Sequence, residues 1–232
     1  MDKGYFITGT DTDVGKTFVA VELLRALREA GLRATGFKPV ASGSAWVDGQ
    51  LRNQDALSLM AESTACLPYE VVNPYCFEPA IAPHIAAKRA NTSVDFSLIR
   101  SHLDNHLAVS DVVVLEAAGG WKAPLNDTMG VDDLAYTSGL PVILVVGLKL
   151  GCINHALLSE QAILEKGCRL AGWVGNSLNE GFEAKNDNIK TLKQRMKSPC
   201  LGVLEYRVKG KQVGIETRRN MSTLLDCLGA FG

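Results

Sequence analysis

The chain has 232 residues, of which 47% are hydrophobic and 21% are charged. These proportions predict a single α/β domain over residues 1–232 with an ordinary buried core. The formal net charge of −1 provides no overall field that would favour nucleic acid or an anionic membrane surface. The most apolar run, Leu140 to Val146, falls far short of the roughly 20 residues that cross a bilayer. Residues 1–4 lead directly into the first apolar run, so neither a membrane span nor a signal peptide is expected.

The cysteines indicate the redox compartment. Six of them lie at positions 66, 76, 152, 168, 200 and 227, without any C-x-x-C pair. This irregular spacing argues against a zinc or disulfide framework. Reduced, partly buried thiols are typical of proteins in the cytoplasm, and we expect this chain to be a soluble protein of that compartment.

The segment at residues 9–17 carries the strongest chemical signal. It reads GTDTDVGKT and lies between a short apolar run, Tyr5–Ile7, and a helical pattern over Phe18–Ala30. A strand, a glycine loop and a helix form a cradle in which backbone N–H groups and the helix N-terminus favour phosphate. Lys16 is expected to reach the β- and γ-phosphates of a nucleotide, and the Thr17 hydroxyl to ligate Mg²⁺. The loop is one residue longer than the usual motif, and a glycine turn before an ordinary helix is the alternative.

Apolar runs and helical patterns alternate along the rest of the chain. The predicted strands are Ala34–Phe37, Val112–Leu115, Val142–Val146, Ala171–Val174 and Leu201–Leu204. The predicted helices are Gln54–Glu62, Phe96–Leu107, Asp132–Thr137, His155–Glu165 and Ala184–Met196. Because the strands are apolar on both faces, this alternation predicts a doubly wound, mainly parallel sheet with helices on both faces, as in P-loop NTPases. The proline-rich stretch 68–91 is expected to be an ordered loop near the site.

Polar side chains follow three of these strands. Lys38, Glu116 and Asn176 come at or just after strand ends, where ligands bind in open parallel sheets. Glu116 follows four apolar residues, the pattern of a Walker B carboxylate that holds Mg²⁺ directly or through water. A loop carboxylate after a buried strand is the alternative. Lys38 is either a charge for a transferring phosphoryl group or anionic substrate, or a surface lysine.

Other polar residues have simpler interpretations. Asp55 stands at a predicted helix start, where capping or stabilisation by the helix dipole would explain it. His102 and His106 are four residues apart but lack the glutamate of H-E-x-x-H. A solvated helix face therefore explains that pair better than zinc does. His84 and His155 stand alone and are interpreted as structural.

From Tyr5 to about Leu204 the chain closely resembles the dethiobiotin synthetase family. The matching blocks are residues 9–17, 36–43 (GFKPVASG), 52–57 (RNQDAL), 72–75 (VNPY), 116–121 (EAAGGW) and 151–157 (GCINHAL). The resemblance implies an ATP-dependent carboxylase that closes a cyclic urea. In it, 7,8-diaminononanoate takes up CO₂ as a carbamate, the carbamate attacks the γ-phosphate of ATP, and the second amine displaces phosphate from the resulting carbamic–phosphoric anhydride.

The resemblance also implies a role for each site residue. The catalytic residues would be Lys16, Lys38 and Thr12, and the Mg²⁺ ligands would be Thr17, Asp55 and Glu116. The nucleotide would be bound by Asp13, Val14, Gly15, Lys16, Thr17, Asp55, Glu116, Gly119 and, at the adenine, Asn176. The substrate would be bound by Thr12, Lys38 and Ser42. Gly151, Cys152, Ile153 and Asn154 would reach the substrate carboxylate across the interface of a homodimer.

The chain departs from the family pattern at three places. Ala117 stands where the family usually has glycine, and Glu205-Tyr206 stands where a proline–aromatic pair usually meets the adenine edge. The segment after Tyr206 has no clear counterpart in the family and is assigned no role. Two other functions on the same fold are alternatives: a P-loop switch ATPase whose output is nucleotide-driven dimerisation, and a small-molecule kinase. The C-terminal stretch 221–227 is short and not basic, which makes it a poor membrane anchor for a switch protein.

Overall fold

The computed structural model describes residues 3–206, so Cys227 and the stretch 221–227 lie outside the described residues. Its strands are β1 (Gly4–Gly9), β2 (Ala34–Phe37), β3 (Val40–Ala41), β4 (Ala45–Val47), β5 (Gln50–Arg52), β6 (Tyr75–Cys76), β7 (Val112–Glu116), β8 (Val142–Leu148), β9 (Leu170–Ser177) and β10 (Cys200–Leu204). Six of them form one parallel sheet in the order β10-β9-β8-β1-β7-β2. Strand β3 pairs with β6, and β4 with β5, in two small separate sheets.

Eight helices lie among these strands in the described residues. They are α1 (Lys16–Glu29), α2 (Gln54–Glu62), α3 (Tyr69–Val72), α4 (Pro83–Arg89), α5 (Phe96–Val109), α6 (Val131–Ser138), α7 (Cys152–Glu165) and α8 (Lys185–Arg195). Asn53 caps α2 by accepting hydrogen bonds from two backbone N–H groups, and Asp95 caps α5 in the same way with one. Gly31 and Gly167 adopt left-handed φ values of 82° and 80° just beyond α1 and α7.

Alternate residues of the central strands face opposite sides of the sheet. On one side, Tyr5 and Ile7 of β1 pack with Leu23 of α1 and Leu59 of α2. On the other side, Phe6 belongs to the cluster built from α5, α6 and α7. Because both faces are covered, the strands read as continuous apolar runs. The predicted doubly wound parallel sheet with helices on both faces is therefore confirmed.

The predicted elements differ from the structure in three places. The stretch 68–91, predicted as a loop, contains α3, β6 and α4. The β4–β5 hairpin was not predicted. The interpretation of His106 as part of a solvated helix face is wrong, since its ring is fully buried and stacks on Phe37 with the ring centroids 4.7 Å apart.

No helix within residues 3–206 is both long enough and apolar enough to cross a membrane.

The burial of His106 predicts a pH-dependent stability. Desolvation lowers its pKa from 6.5 to about 4, so the unfolded chain binds a proton there that the native chain does not. The free energy of unfolding should therefore fall as the pH drops from 7 to 5, by about 2 kcal/mol from this group alone. Urea unfolding at the two pH values measures it. His106→Gln should lose this part of the pH dependence, and His155→Gln, at an exposed position, should keep it. An unchanged pH dependence in His106→Gln would contradict the assignment.

Candidate active site

The carboxyl ends of three neighbouring strands form a cleft. Strand β7 pairs with β1 on one side and with β2 on the other, all in parallel register, so their ends lie at one edge of the sheet. The cleft has a volume of about 400 Å³. It is lined by Thr12, Asp13, Gly15, Lys16, Thr17, Lys38, Ala41, Ser42, Asp55, Glu116, Ala118 and Gly119.

The loop after β1 forms one wall of this cleft. It turns into α1 at Gly15, whose φ of 87° is left-handed. A methyl group at that position would also collide with the side-chain amide of Asn176, so only glycine fits. The N-terminus of α1 then faces the cleft through Gly15, Lys16 and Thr17, an arrangement that binds anions.

Lys16 begins α1 and is 7% exposed. Its Nζ donates to the backbone oxygen of Asp11 over 3.0 Å. Burial, followed by the neighbouring charge of Lys38, lowers the pKa of Lys16 to about 8. The negative charge of a bound anion such as phosphate would oppose this lowering of the pKa and favour the charged ammonium.

Lys38 and Glu116 form a buried ion pair at the base of the cleft. They are 3% and 1% exposed, and Lys38 Nζ lies 2.6 Å from Glu116 Oε1 and 3.1 Å from Asp55 Oδ2. Burial alone would lower the pKa of Lys38, but the charges of Glu116 and Asp55 outweigh it and raise that pKa. The Thr17 hydroxyl donates to the same Glu116 oxygen over 2.7 Å. Two carboxylates, a hydroxyl and an ammonium are therefore gathered around one point.

The donor set of this cluster suits a magnesium ion. Glu116 Oε2 is buried and has no hydrogen-bond partner among residues 3–206, which leaves a carboxylate oxygen available. Thr17 and Asp55 offer further oxygens beside it. Hydroxyl and carboxylate oxygens are the ligands that Mg²⁺ prefers, usually with several waters retained. These three residues thus fit the ion.

The helix-capping interpretation of Asp55 is corrected by the structure. The N-cap of α2 is Asn53, and its Oδ1 accepts from the backbone N–H groups of Asp55 and Ala56. Asp55 stands in the first turn and its carboxylate faces Lys38. Its ion pair spans two elements that are distant in sequence, so local pattern could not have revealed it.

Six predicted site residues lie outside the cleft lining. Val14 is fully buried, and its backbone oxygen accepts a hydrogen bond of 2.9 Å from Asn176 Nδ2. The other four, Gly151 to Asn154, form the start of α7. In that segment Cys152 is buried and Asn154 is exposed.

The loop before α7 is tied to the phosphate loop by one ion pair. Lys149 Nζ lies 3.1 Å from Asp11 Oδ2, and this hydrogen bond is the main reason that the pKa of Asp11 is lowered. Because like charge repels a triphosphate, the sequence predicts that Asp11 turns toward water, a metal or a cationic substrate; its partner in the structure is Lys149, which the sequence did not indicate. Asn53 and Asn73 lie in blocks that match the resemblance and Tyr69 lies outside them, but none of the three had an assigned role, because their contacts depend on the tertiary structure.

Fold and cleft together define a P-loop nucleotide-binding protein. A family model described as an AAA domain matches residues 3–212. Among solved structures, the septum site-determining protein MinD of Pyrococcus horikoshii with Mg-ADP superposes with a TM-score of 0.63 at 14% identity, covering 98% of this chain and 96% of that chain. The pNOB8 ParA protein bound to nonspecific DNA superposes with a TM-score of 0.60 at 12% identity, and the superposition covers 100% of this chain and 100% of that chain. At these identities the likeness shows the fold alone.

Curated relatives specify the family. ATP-dependent dethiobiotin synthetase of Cellvibrio japonicus is 45% identical over 224 residues, covering 97% of this chain and 98% of the relative. The enzyme of Pseudomonas paraeruginosa is 49% identical over 199 residues, covering 85% and 87%. That of Vibrio vulnificus is 42% identical over 226 residues, covering 97% and 100%. The chain therefore belongs to the ATP-dependent dethiobiotin synthetase family and is an enzyme of the ligase class.

The phosphate loop predicts a severe effect of removing Lys16. Lys16→Ala should lower ATP-dependent turnover by about a hundredfold or more, because one preorganised charge beside the phosphates is lost. The fold should persist, since the side chain's described hydrogen bond reaches only the adjacent loop. Steady-state kinetics and circular dichroism measure both. Lys88→Ala, at an exposed position on α4, should match the wild type, whereas normal turnover in folded Lys16→Ala would exclude the role.

Proposed function

We propose that the enzyme closes 7,8-diaminononanoate and CO₂ into the cyclic urea dethiobiotin, with ATP converted to ADP and phosphate. The observation that carries this proposal is the buried cluster of Lys38, Glu116, Asp55 and Thr17 beside Lys16 in one cleft. The family membership gives the reaction, and the cluster offers the charges that it needs. We place the reaction in the cytoplasm, in agreement with the free cysteines of the described residues.

The cleft suits phosphoryl transfer better than acid–base catalysis. Phosphoryl transfer depends on positioning the reactants and neutralising charge, and it requires little proton movement. Among the cleft-lining residues in the described part of the chain, two are lysines and none is histidine. Two cationic side chains without a histidine favour a reaction in which the transferred group is an anion.

We assign the nucleotide to the phosphate loop. Residues 13–17 would surround the β- and γ-phosphates, with the Lys16 ammonium against them. Gly119, whose φ of 68° is left-handed, would let the backbone come close to phosphate. Asn176 would hydrogen-bond the adenine.

We assign Mg²⁺ to Thr17, Asp55 and Glu116. When bound, the ion supplies positive charge that neutralises the phosphates of ATP. Lys38 would then share its two carboxylate partners, Asp55 and Glu116, with that charge. Its ammonium would be able to turn from Glu116 toward the γ-phosphate and the carbamate.

The proposed reaction has three steps: carbamate formation, phosphoryl transfer and ring closure. One amine of the substrate forms a C–N bond to CO₂ and loses a proton to solvent, which gives a carbamate. A carbamate oxygen then bonds to the γ-phosphorus as the bond to ADP breaks, which gives the carbamic–phosphoric anhydride. The second amine attacks the carbonyl carbon, the C–O bond to phosphate breaks, and a proton leaves. Thr12 and Ser42, both in the cleft lining, would hold the diamine or its carbamate.

We further propose a homodimer in which residues 151–154 bind the partner's substrate carboxylate. The N–H of Cys152 donates to the backbone oxygen of Lys149, and the positive end of the α7 dipole beyond it favours a carboxylate. The adjoining Leu150 is 89% exposed, as expected of a residue that a second subunit would cover. These four residues lie outside the lining of the chain's own cleft, which agrees with a role across an interface.

A direct assay separates this function from the alternatives. The enzyme is incubated with 7,8-diaminononanoate, bicarbonate, Mg²⁺ and ATP, and the cyclic urea is sought by mass spectrometry. We expect the urea to form and ATP hydrolysis to require both the diamine and CO₂. Hydrolysis without them would indicate a switch ATPase, and a stable phosphorylated acceptor would indicate a kinase.

The proposed attack of the carbamate predicts the fate of one oxygen atom. The oxygen that bonds to phosphorus comes from CO₂ and must leave with phosphate when the ring closes. Oxygen-18-labelled CO₂, used in a rapid-quench turnover before it exchanges with water, should place one heavy oxygen in the released phosphate. Unlabelled phosphate alongside newly formed urea would show that water attacks ATP instead.

A further inference from the structure

Behind the cleft, a chain of hydrogen bonds joins Tyr69 to both sides of the charged cluster. We propose that Tyr69 and Asn73 are positioning residues that hold Lys38 and the start of α2 in register for Mg²⁺-assisted phosphoryl transfer. This inference rests on the proposed function. It assigns a task to the segment 68–76, which the chemistry described above does not use.

The first branch runs from Tyr69 to Lys38. The Tyr69 hydroxyl donates to Asn73 Oδ1 over 2.9 Å. Asn73 Nδ2 in turn donates to the backbone oxygen of Lys38 over 2.6 Å. The backbone N–H of Lys38 donates to Val72 in the same segment over 2.9 Å. Both backbone polar groups of the cluster's lysine are therefore held by residues 72–73.

The second branch runs from Tyr69 to α2. The hydroxyl oxygen of Tyr69 accepts a hydrogen bond of 2.7 Å from the backbone N–H of Asn53. Asn53 caps α2 and contacts the N–H of Asp55 over 3.0 Å. Its Nδ2 lies 3.4 Å from the backbone oxygen of Ser42. One phenol thus supports the residue that positions a proposed metal ligand and a proposed substrate contact.

Burial makes this arrangement sensitive to the loss of one atom. Asn53 and Asn73 are both buried, and an unpaired polar group in such a place is costly. Burial, reinforced by the hydrogen bond with Cys76, raises the pKa of Tyr69 above its ordinary value. The phenol therefore keeps its proton at neutral pH and continues to donate to Asn73. Above the ring, the guanidinium of Arg52 lies 4.0 Å from the ring centroid, which fixes the side chain from outside.

Tyr69→Phe removes the hydroxyl and keeps the ring. We expect kcat for urea formation to fall by about tenfold or more, because the hydrogen bonds of the hydroxyl with Asn73, Asn53 and Cys76 are lost and the N–H of Asn53 loses its partner. The KM for the diamine should change little. Tyr136→Phe, at an exposed position on α6, is the matched control and should behave as the wild type. Loss of thermal stability in Tyr69→Phe with kcat unchanged would show a merely structural residue and overturn the proposal.

A binding measurement tests positioning without turnover. Calorimetry compares the affinity for a non-hydrolysable ATP analogue with and without Mg²⁺. In Tyr69→Phe the gain in affinity that Mg²⁺ provides should shrink, while binding without Mg²⁺ stays the same. An unchanged gain would contradict the proposal. If the wild type shows this gain but makes no urea, the proposed function fails, and the calorimetric comparison still decides the positioning role.

Asn73→Asp provides a second variant should Tyr69→Phe fail to fold. The new carboxylate keeps an acceptor for Tyr69 but loses the donor to Lys38. Since burial raises the pKa of a carboxyl group, its protonated form should restore that donor as the pH falls. The kcat of Asn73→Asp relative to the wild type should therefore be low at pH 8 and rise toward pH 6. An equal ratio at the two pH values would overturn the assignment of Asn73.

Discussion

The site depends on a buried ammonium group held between two carboxylates. Removing Lys38 and Glu116 from water is costly, and the cost is offset only because the pair is close and shares further partners. Breaking such a pair by removing one partner typically costs about 3–5 kcal/mol. The relative positions of β2, β7 and α2 therefore depend on the ion pairs that Lys38 forms with Glu116 and Asp55.

The parallel sheet makes this arrangement possible. Strand β7 lies between β1 and β2, so the phosphate loop, Glu116 and Lys38 leave the sheet at neighbouring points on one edge. Ala41 of β3, the adjoining Ser42 and Asp55 of α2 complete the cleft from outside this edge. Asp55 and Ser42 therefore approach from segments that the central sheet does not contain.

Sequence alone predicted the strands and helices that are determined by local sequence patterns. The central strands are apolar on both faces, and Gln54–Glu62 has both a cap and a helical pattern, so its predicted bounds match α2. Helix α7 begins three residues before the prediction, since Gly151 precedes it in a left-handed conformation and offers no capping side chain. The motif also indicated Lys16, Thr17 and Glu116. Three features depend on contacts between separate segments, which periodicity cannot reveal. They are the ion pair of Asp55 with Lys38, the hydrogen bonds of Tyr69 and the burial of His106 against Phe37.

A crystal structure with a non-hydrolysable ATP analogue and Mn²⁺ in place of Mg²⁺ tests the central claim most directly. Anomalous scattering locates the metal without ambiguity. The account predicts one metal peak beside Thr17, Asp55 and Glu116, with the Lys38 ammonium turned from Glu116 toward the γ-phosphate. A metal bound elsewhere, or Lys38 still paired with Glu116 beside a bound nucleotide and metal, would contradict it.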